Sequence, residues 1–178
     1  RLLNILAQGY SKTIVCYHGK TSNVETSRLE SYPETLGEGR YLTTRESAQE
    51  YAEQRVQSHG GEPVVERFEL KQPILLLLEN NRLPLQLEQK WRKRLQELIN
   101  RSERPFIQPA ASNAITQPLG SHVTDLQRGL QREFSLFLLK EGYDGLVATE
   151  GGEKIVGKHL TIVIFDRNSP KMLLVGEK

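Results

Sequence analysis

Thr13-Ile14-Val15-Cys16-Tyr17-His18-Gly19, then Gly37-Glu38-Gly39-Arg40-Tyr41-Leu42-Thr43-Thr44, then Arg45 to Glu53: these three segments decide how the chain is read. The first is β-branched and apolar up to Tyr17, which predicts a buried strand ending in a histidine and a glycine. Two glycines bracket the second, where they permit close backbone approach or positive φ. The third is helical in composition; Ala48, Tyr51, Ala52 and Val56 recur at helical spacing, and Gly60-Gly61 ends the run. A strand ending in Tyr-His-Gly, a strand carrying Tyr41 and a helix carrying Ser47 and Tyr51 suggest a pocket for a flat heteroaromatic ring with ribose attached.

Outward from this stretch, residues 1 to 10 set Leu2, Leu3, Ile5 and Leu6 on one face of a possible short helix, and Ser22 to Pro33 is polar loop. Val64 to Leu70 and Ile74 to Leu78 read as strands, with Asn80-Asn81 as a turn signal after them. Glu88 to Asn100 is an amphipathic helix with Trp91, Leu95, Leu98 and Ile99 inside and Lys90, Arg92, Lys93 and Arg94 around the rest. Glu103 to Gly120 holds Pro105, Pro109 and Pro118 among small polar residues and reads as a long loop. Val123 to Glu141 is a helix closed by Gly142; a strand from Gly145, a polar hairpin tip from Glu150 to Lys158 and a last strong strand from Leu160 to Phe165 follow. Strands and helices alternate without a βαβ rhythm and no repeat is present, so the fold class is α+β, a single domain over 1–178 with an insertion at about 79–122.

Length and composition agree with one globular domain. The 178 residues suffice for a real core, and a net charge of +2 is too small to argue for nucleic acid. A lone cysteine, Cys16, excludes an internal disulfide and fits a reducing compartment. No apolar run approaches the ~20 residues that a membrane helix needs, so no membrane association is expected. The chain starts at Arg1, so a leader or a neighbouring domain can have been removed.

Each candidate residue has two readings. His18 is either a satisfied strand-end histidine or a donor to a ligand hydroxyl, with Gly19 exposing its backbone N–H and C=O to a carboxamide. Tyr41 and Tyr51 are either core aromatics or two phenols that sandwich a flat ring. Ser47 is either a first-turn polar residue or an amide-binding hydroxyl. Arg92 to Arg94 is a solvated helix face or a surface for an acidic partner or nucleic acid. The histidines at 18, 59, 122 and 159 have no zinc spacing, so no metal is expected, and no phosphate-binding glycine loop or nucleophile elbow occurs.

Cys16-Tyr17-His18-Gly19-Lys20-Thr21-Ser22-Asn23, Gly39-Arg40-Tyr41-Leu42-Thr43 and Ser47-Ala48-Gln49-Glu50-Tyr51, in that order, resemble the ADP-ribosyltransferase superfamily. The likeness is to its His-Tyr-Glu branch, which includes diphtheria-toxin-like enzymes and poly(ADP-ribose) polymerases. Gly60 to Leu78, Gly142 to Val147 and Ile162 to Asp166 resemble bacterial and phage-encoded members, so the likeness spans most of the chain outside the insertion.

The resemblance implies a split β-sheet core with flanking helices and NAD⁺ bound between two sheets as substrate. It implies that His18 holds the adenosine ribose, the Gly19 backbone and Ser47 the carboxamide, and Tyr41 and Tyr51 the nicotinamide ring. Lys20 and Thr21 join this NAD⁺-binding set. The third signature residue is a glutamate on a late strand, which stabilises positive charge as nicotinamide leaves. Here Thr161 takes that position, while Glu150 and Glu153 lie on the neighbouring hairpin. A hairpin glutamate such as Glu153 serves, or catalysis is weak, absent or differently organised. The implied activity is mono-ADP-ribosyl transfer to a protein or nucleic acid, of bacterial toxin, effector or phage type. The alternative is a weak or inactive NAD-binding module of the same fold, with or without engagement of nucleic acid. The protein would then act in the cytoplasm or after delivery into a host cell.

Overall fold

Alternation along the strands sets the architecture. In the computed structural model, which describes residues 13–23, 36–101, 106–121, 129–150 and 158–177, the strand β1 (Ile14–Thr21) buries Ile14 and Cys16 on one face. It pairs antiparallel with β3 (Pro63–Leu70), whose Phe68 and Leu70 point the same way, and β3 pairs with β7 (Met172–Glu177) at the far edge. The second sheet runs β2-β6-β5-β4, built from β2 (Arg40–Leu42), β6 (His159–Ile164), β5 (Gly145–Glu150) and β4 (Leu75–Leu77), with only the β4–β5 pair parallel. Leu42, Leu75, Val147, Ile162 and Ile164 from this sheet meet Ile14, Cys16, Phe68 and Leu70 from the first. The two sheets thus share one apolar layer, and burial of such side chains contributes about 1.5–3 kcal/mol each.

The opposite face of the second sheet carries the larger core. Leu76, Leu146, Ala148 and Val163 pack there against α2 (Leu85–Arg101), α3 (Ile107–Ile115) and α4 (Leu130–Lys140). Trp91 of α2 meets Phe134 of α4 edge-on, ring centroids 5.2 Å apart. The region expected to be an insertion is therefore the cover of this face. The remaining helix, α1 (Arg45–His59), lies on the outer face of the first sheet, where Ala48 and Ala52 pack with Val65 and Tyr17. The described residues thus form a mixed α+β structure of two sheets and four helices.

Three expectations need correction. The proline-rich segment read as a long loop contains α3. Pro109 is the third residue of that helix, where its missing N–H is one of the first-turn donors that have no intrahelical acceptor. β7 follows the strand expected to be the last. Arg92 is half-buried rather than solvated: it ion-pairs with Glu88 at 3.2 Å and donates to the carbonyls of Ile115 and Gln117. Arg94 pairs with Glu133 at 2.9 Å and with Glu97 at 3.3 Å. The N-terminal helix, the Ser22–Pro33 loop beyond Asn23 and the tip holding Glu153 lie outside the described residues.

Candidate functional site

The two sheets are joined through one rung. Tyr17 N–H donates to the Thr43 carbonyl at 2.9 Å and Thr43 N–H to the Tyr17 carbonyl at 2.8 Å. An antiparallel ladder continued from there would next pair Gly19 with Tyr41. The strands instead part. The Tyr41 carbonyl, which Gly19 N–H would have reached, lies 2.9 Å from His18 Nδ1. Because alternate residues of a strand turn their N–H and C=O to alternate edges, those of Gly19 face the same edge as those of Tyr17, away from β3. Among the described residues no second rung forms there.

Glycine at position 19 has a packing cause. A Cβ would sit 2.0 Å from the carbonyl oxygen of Ala48 and 2.9 Å from the Ala52 nitrogen, so α1 crosses β1 at this residue. The same crossing brings the first turn of α1 beside the Gly19 edge. Thr44 caps that helix by accepting from Ser47 N–H at 3.3 Å, and Ser47 is buried. Gly39 is a second close approach: a Cβ would stand 2.6 Å from the Ile164 carbonyl, so β2 can lie against β6 only without one.

His18 is neutral. Loss of hydration pushes its pKa down to about 3; the bond to Tyr41 opposes this, and the positive charges of Arg40, Arg55 and Lys20 add to it. A carbonyl can only accept, so Nδ1 carries the proton and Nε2 is an acceptor. In this tautomer Nε2 can accept a hydrogen bond but not donate one.

The remaining expected residues take separate places. The Tyr41 hydroxyl donates to the Gly37 carbonyl at 2.7 Å and accepts from Leu36 N–H at 3.0 Å, and its ring packs against the larger core. Tyr51 lies one helical turn beyond Ser47, with its hydroxyl 3.3 Å from His159 Nε2 and the two rings edge-on at 5.4 Å. Thr21 Oγ1 donates to the Gly60 carbonyl at 2.6 Å and accepts from Asn23 N–H, so it anchors the turn after α1. Lys20 Nζ bonds Glu66 Oε1 at 2.8 Å. Thr161 is 2% exposed and its Oγ1 has no hydrogen-bond partner, a cost of about 1–3 kcal/mol in a buried hydroxyl. The structure thus brings His18, Gly19, Lys20, Tyr41 and Ser47 to one parting of the sheets.

Sequence reasoning passed over Glu66 and Arg40. Glu66 is opposite His18 in the β1–β3 register and shares a face with Phe68 and Leu70. That period-two relation was visible in Glu66-Arg67-Phe68-Glu69-Leu70. Arg40 reaches across from β2, its guanidinium 5.6 Å from the Phe68 ring centroid and 3.7 Å from Glu66 Oε2. Between the sheets, the apolar layer therefore gives way to His18, Lys20, Glu66 and Arg40.

Cys16 is not poised as a nucleophile: burial pushes its thiol up to about 12, so it stays protonated at neutral pH. Among the described residues no group of His, Cys, Asp or Glu is arranged to hold a metal ion, and no helix is long and apolar enough to cross a membrane. No protein-family model matches the chain, and neither a curated protein nor a solved structure gives a match.

Proposed function

We propose that this chain is an NAD⁺-dependent mono-ADP-ribosyltransferase of the His-Tyr-Glu type. The reading rests on the ordered His18-Gly19, Tyr41 and Ser47 motifs, and one observation carries it. Where β1 and β2 part, His18 takes the Tyr41 carbonyl, and among the described residues no backbone group pairs with the edge of the buried Gly19. A peptide edge offers a donor beside an acceptor, and so does a primary carboxamide, which makes the Gly19 edge a fit for nicotinamide. The Ser47 hydroxyl, at the start of the helix that crosses Gly19, supplies a further hydrogen bond.

In the reaction the bond between the nicotinamide nitrogen and ribose C1′ breaks, and its electron pair leaves with nicotinamide. A nucleophile on the protein or nucleic-acid acceptor forms the new bond to C1′ and gives up its proton to solvent. Holding the leaving group at Gly19 and Ser47 promotes the step by positioning. Thr161 supplies no charge to the developing cation, so the reading is of slow single transfer without chain extension.

A second reading follows from that same threonine: a module that binds NAD⁺ without turning it over. Incubation with NAD⁺ labelled in the adenylate, with and without a host-cell lysate, separates the two. Nicotinamide release and label on macromolecules, both lost in His18→Ala, support the transferase. Saturable NAD⁺ binding with no release supports the module, and the absence of binding rejects both.

A further inference from the structure

We propose that Tyr51 and His159 form a proton relay for the acceptor, with Tyr51 touching the attacking group and His159 as the base behind it, and that the acceptor is a protein hydroxyl rather than a carboxylate. The proposal rests on the transferase reading above and deepens it by naming the acceptor class.

The Tyr51 hydroxyl lies 3.3 Å from His159 Nε2, and the two rings meet edge-on with centroids 5.4 Å apart. The contact joins α1 to the first residue of β6, and both side chains are half-buried. With Nε2 as acceptor the phenol donates to it, and a hydroxyl held against an imidazole in this way is a ready proton carrier. Glu150 is opposite His159 in the β5–β6 register, and residues so opposed have Cβ atoms about 5 Å apart. A carboxylate there offsets the charge that the ring gains with a proton.

Position along α1 connects the pair to the leaving group. Tyr51 is four residues after Ser47, so the two stand on one helix face with Cβ atoms about 5–6 Å apart. Ala48 and Ala52, the residues that meet Gly19, lie on either side of Tyr51 in the same turn. A nicotinamide held by its carboxamide at Gly19 and Ser47 thus has Tyr51 on the next turn. His18 is no substitute base, since burial keeps its pKa at about 3 and it holds no added proton at neutral pH.

In the step, the acceptor oxygen bonds to C1′ as the bond to the nicotinamide nitrogen breaks. The acceptor's proton passes to the Tyr51 oxygen, the phenol's own proton passes to His159 Nε2, and from there a proton goes to solvent. A carboxylate has no proton to lose at neutral pH and gains nothing from a relay; a hydroxyl does. Lys90, Arg92 and Arg94 of α2 each pair with a carboxylate, so that helix offers no ready face for phosphates, which favours protein over nucleic acid.

The test incubates the protein with adenylate-labelled NAD⁺ and host-cell lysate and follows NAD⁺ affinity and bound label. Label should survive neutral hydroxylamine, which cleaves an ester to a carboxylate but not an acetal to a hydroxyl, and should resist nuclease. Tyr51→Phe and His159→Gln should each lower transfer at least about a hundredfold. NAD⁺ affinity should stay within about twofold, because ring packing is kept. In His159→Ala, imidazole added to the buffer should raise transfer again by about tenfold, which a merely structural role does not allow. Label released by hydroxylamine or by nuclease, or variants that transfer as fast as wild type, overturn the relay and leave the transferase standing. Wild type that binds NAD⁺ but labels nothing overturns both. Should the variants fail to fold, the hydroxylamine result on wild type decides alone.

Discussion

His18 Nδ1 lies 2.9 Å from the carbonyl oxygen of Tyr41 and so occupies the place of the next backbone rung between β1 and β2. Burial, not the bond to Tyr41, keeps the imidazole neutral there, and this links stability to pH. Folded, His18 titrates near pH 3; unfolded, it does so near its ordinary 6.5. Between those values the unfolded chain binds more protons, so the histidine's contribution is complete above 6.5 and is lost as pH falls toward 3. From pH 7 to 4.5 the loss from this group is at most about 3 kcal/mol, reduced by the solvent that reaches a half-buried residue. His18→Gln keeps a donor for Tyr41 and removes the titration. Urea unfolding at the two pH values should show a smaller loss in the variant by about 2 kcal/mol. Equal losses would show that His18 is protonated in the folded protein.

Gly19→Ala probes the crossing of β1 and α1. The added methyl would overlap the Ala48 carbonyl at 2.0 Å, a backbone atom that cannot rotate away. Overpacking of this kind costs about 3 kcal/mol. Thermal unfolding should show a large drop in Tm for Gly19→Ala, and Gly176→Ala, where no atom lies within 4 Å of the added carbon, should stay within a degree or two. Similar values for the two variants would mean that α1 is free to shift off the strand.

What could be read in the chain depended on whether a residue's neighbours in sequence were also its neighbours in space. Ile14 and Cys16 reveal a strand because alternation buries them, and Leu146, Val147 and Ala148 because a short continuous apolar run is covered on both faces. β7 escaped notice because Leu173, Leu174 and Val175 sit exposed at a sheet edge, where no alternation is imposed. Arg92 read as solvated because its partners, the carbonyls of Ile115 and Gln117, are supplied by a later segment, although Glu88 one turn back was a legible clue. At the site, His18, Gly19 and Tyr41 stood out as a motif, but the hydrogen-bonding direction of His18 came only with the Tyr41 carbonyl, and the burial of Glu66 between Lys20 and Arg40 only with the pairing of the strands.

Glu88 ties the α2 helix to the segment after α3. Both of its oxygens accept from Gly120 N–H, at 3.0 and 2.9 Å, and one also meets Arg92. Glu88→Ala leaves a half-buried guanidinium without its carboxylate and a backbone N–H without an acceptor. The expected cost is about 3 kcal/mol by chemical denaturation, with faster hydrogen exchange at residues 116–121. Arg92→Met, which keeps much of the aliphatic packing, should cost less. A Glu88→Ala protein as stable as wild type would place the carboxylate among the many ion pairs that contribute nothing measurable.

Thr161→Val separates a structural threonine from a functional one. The hydroxyl is buried on β6 and has no partner, so replacing it by a methyl of similar size removes an unsatisfied group without opening a cavity. Tm should hold or rise, by up to about 1 kcal/mol of added stability. If Thr161 instead finds its partner in a bound nucleotide, the same change should lower NAD⁺ turnover by about tenfold while the apo protein stays as stable as before. Lower turnover without a loss of apo stability is expected only when the orphan hydroxyl is kept for a ligand. A rise in Tm with unchanged turnover would remove Thr161 from the site.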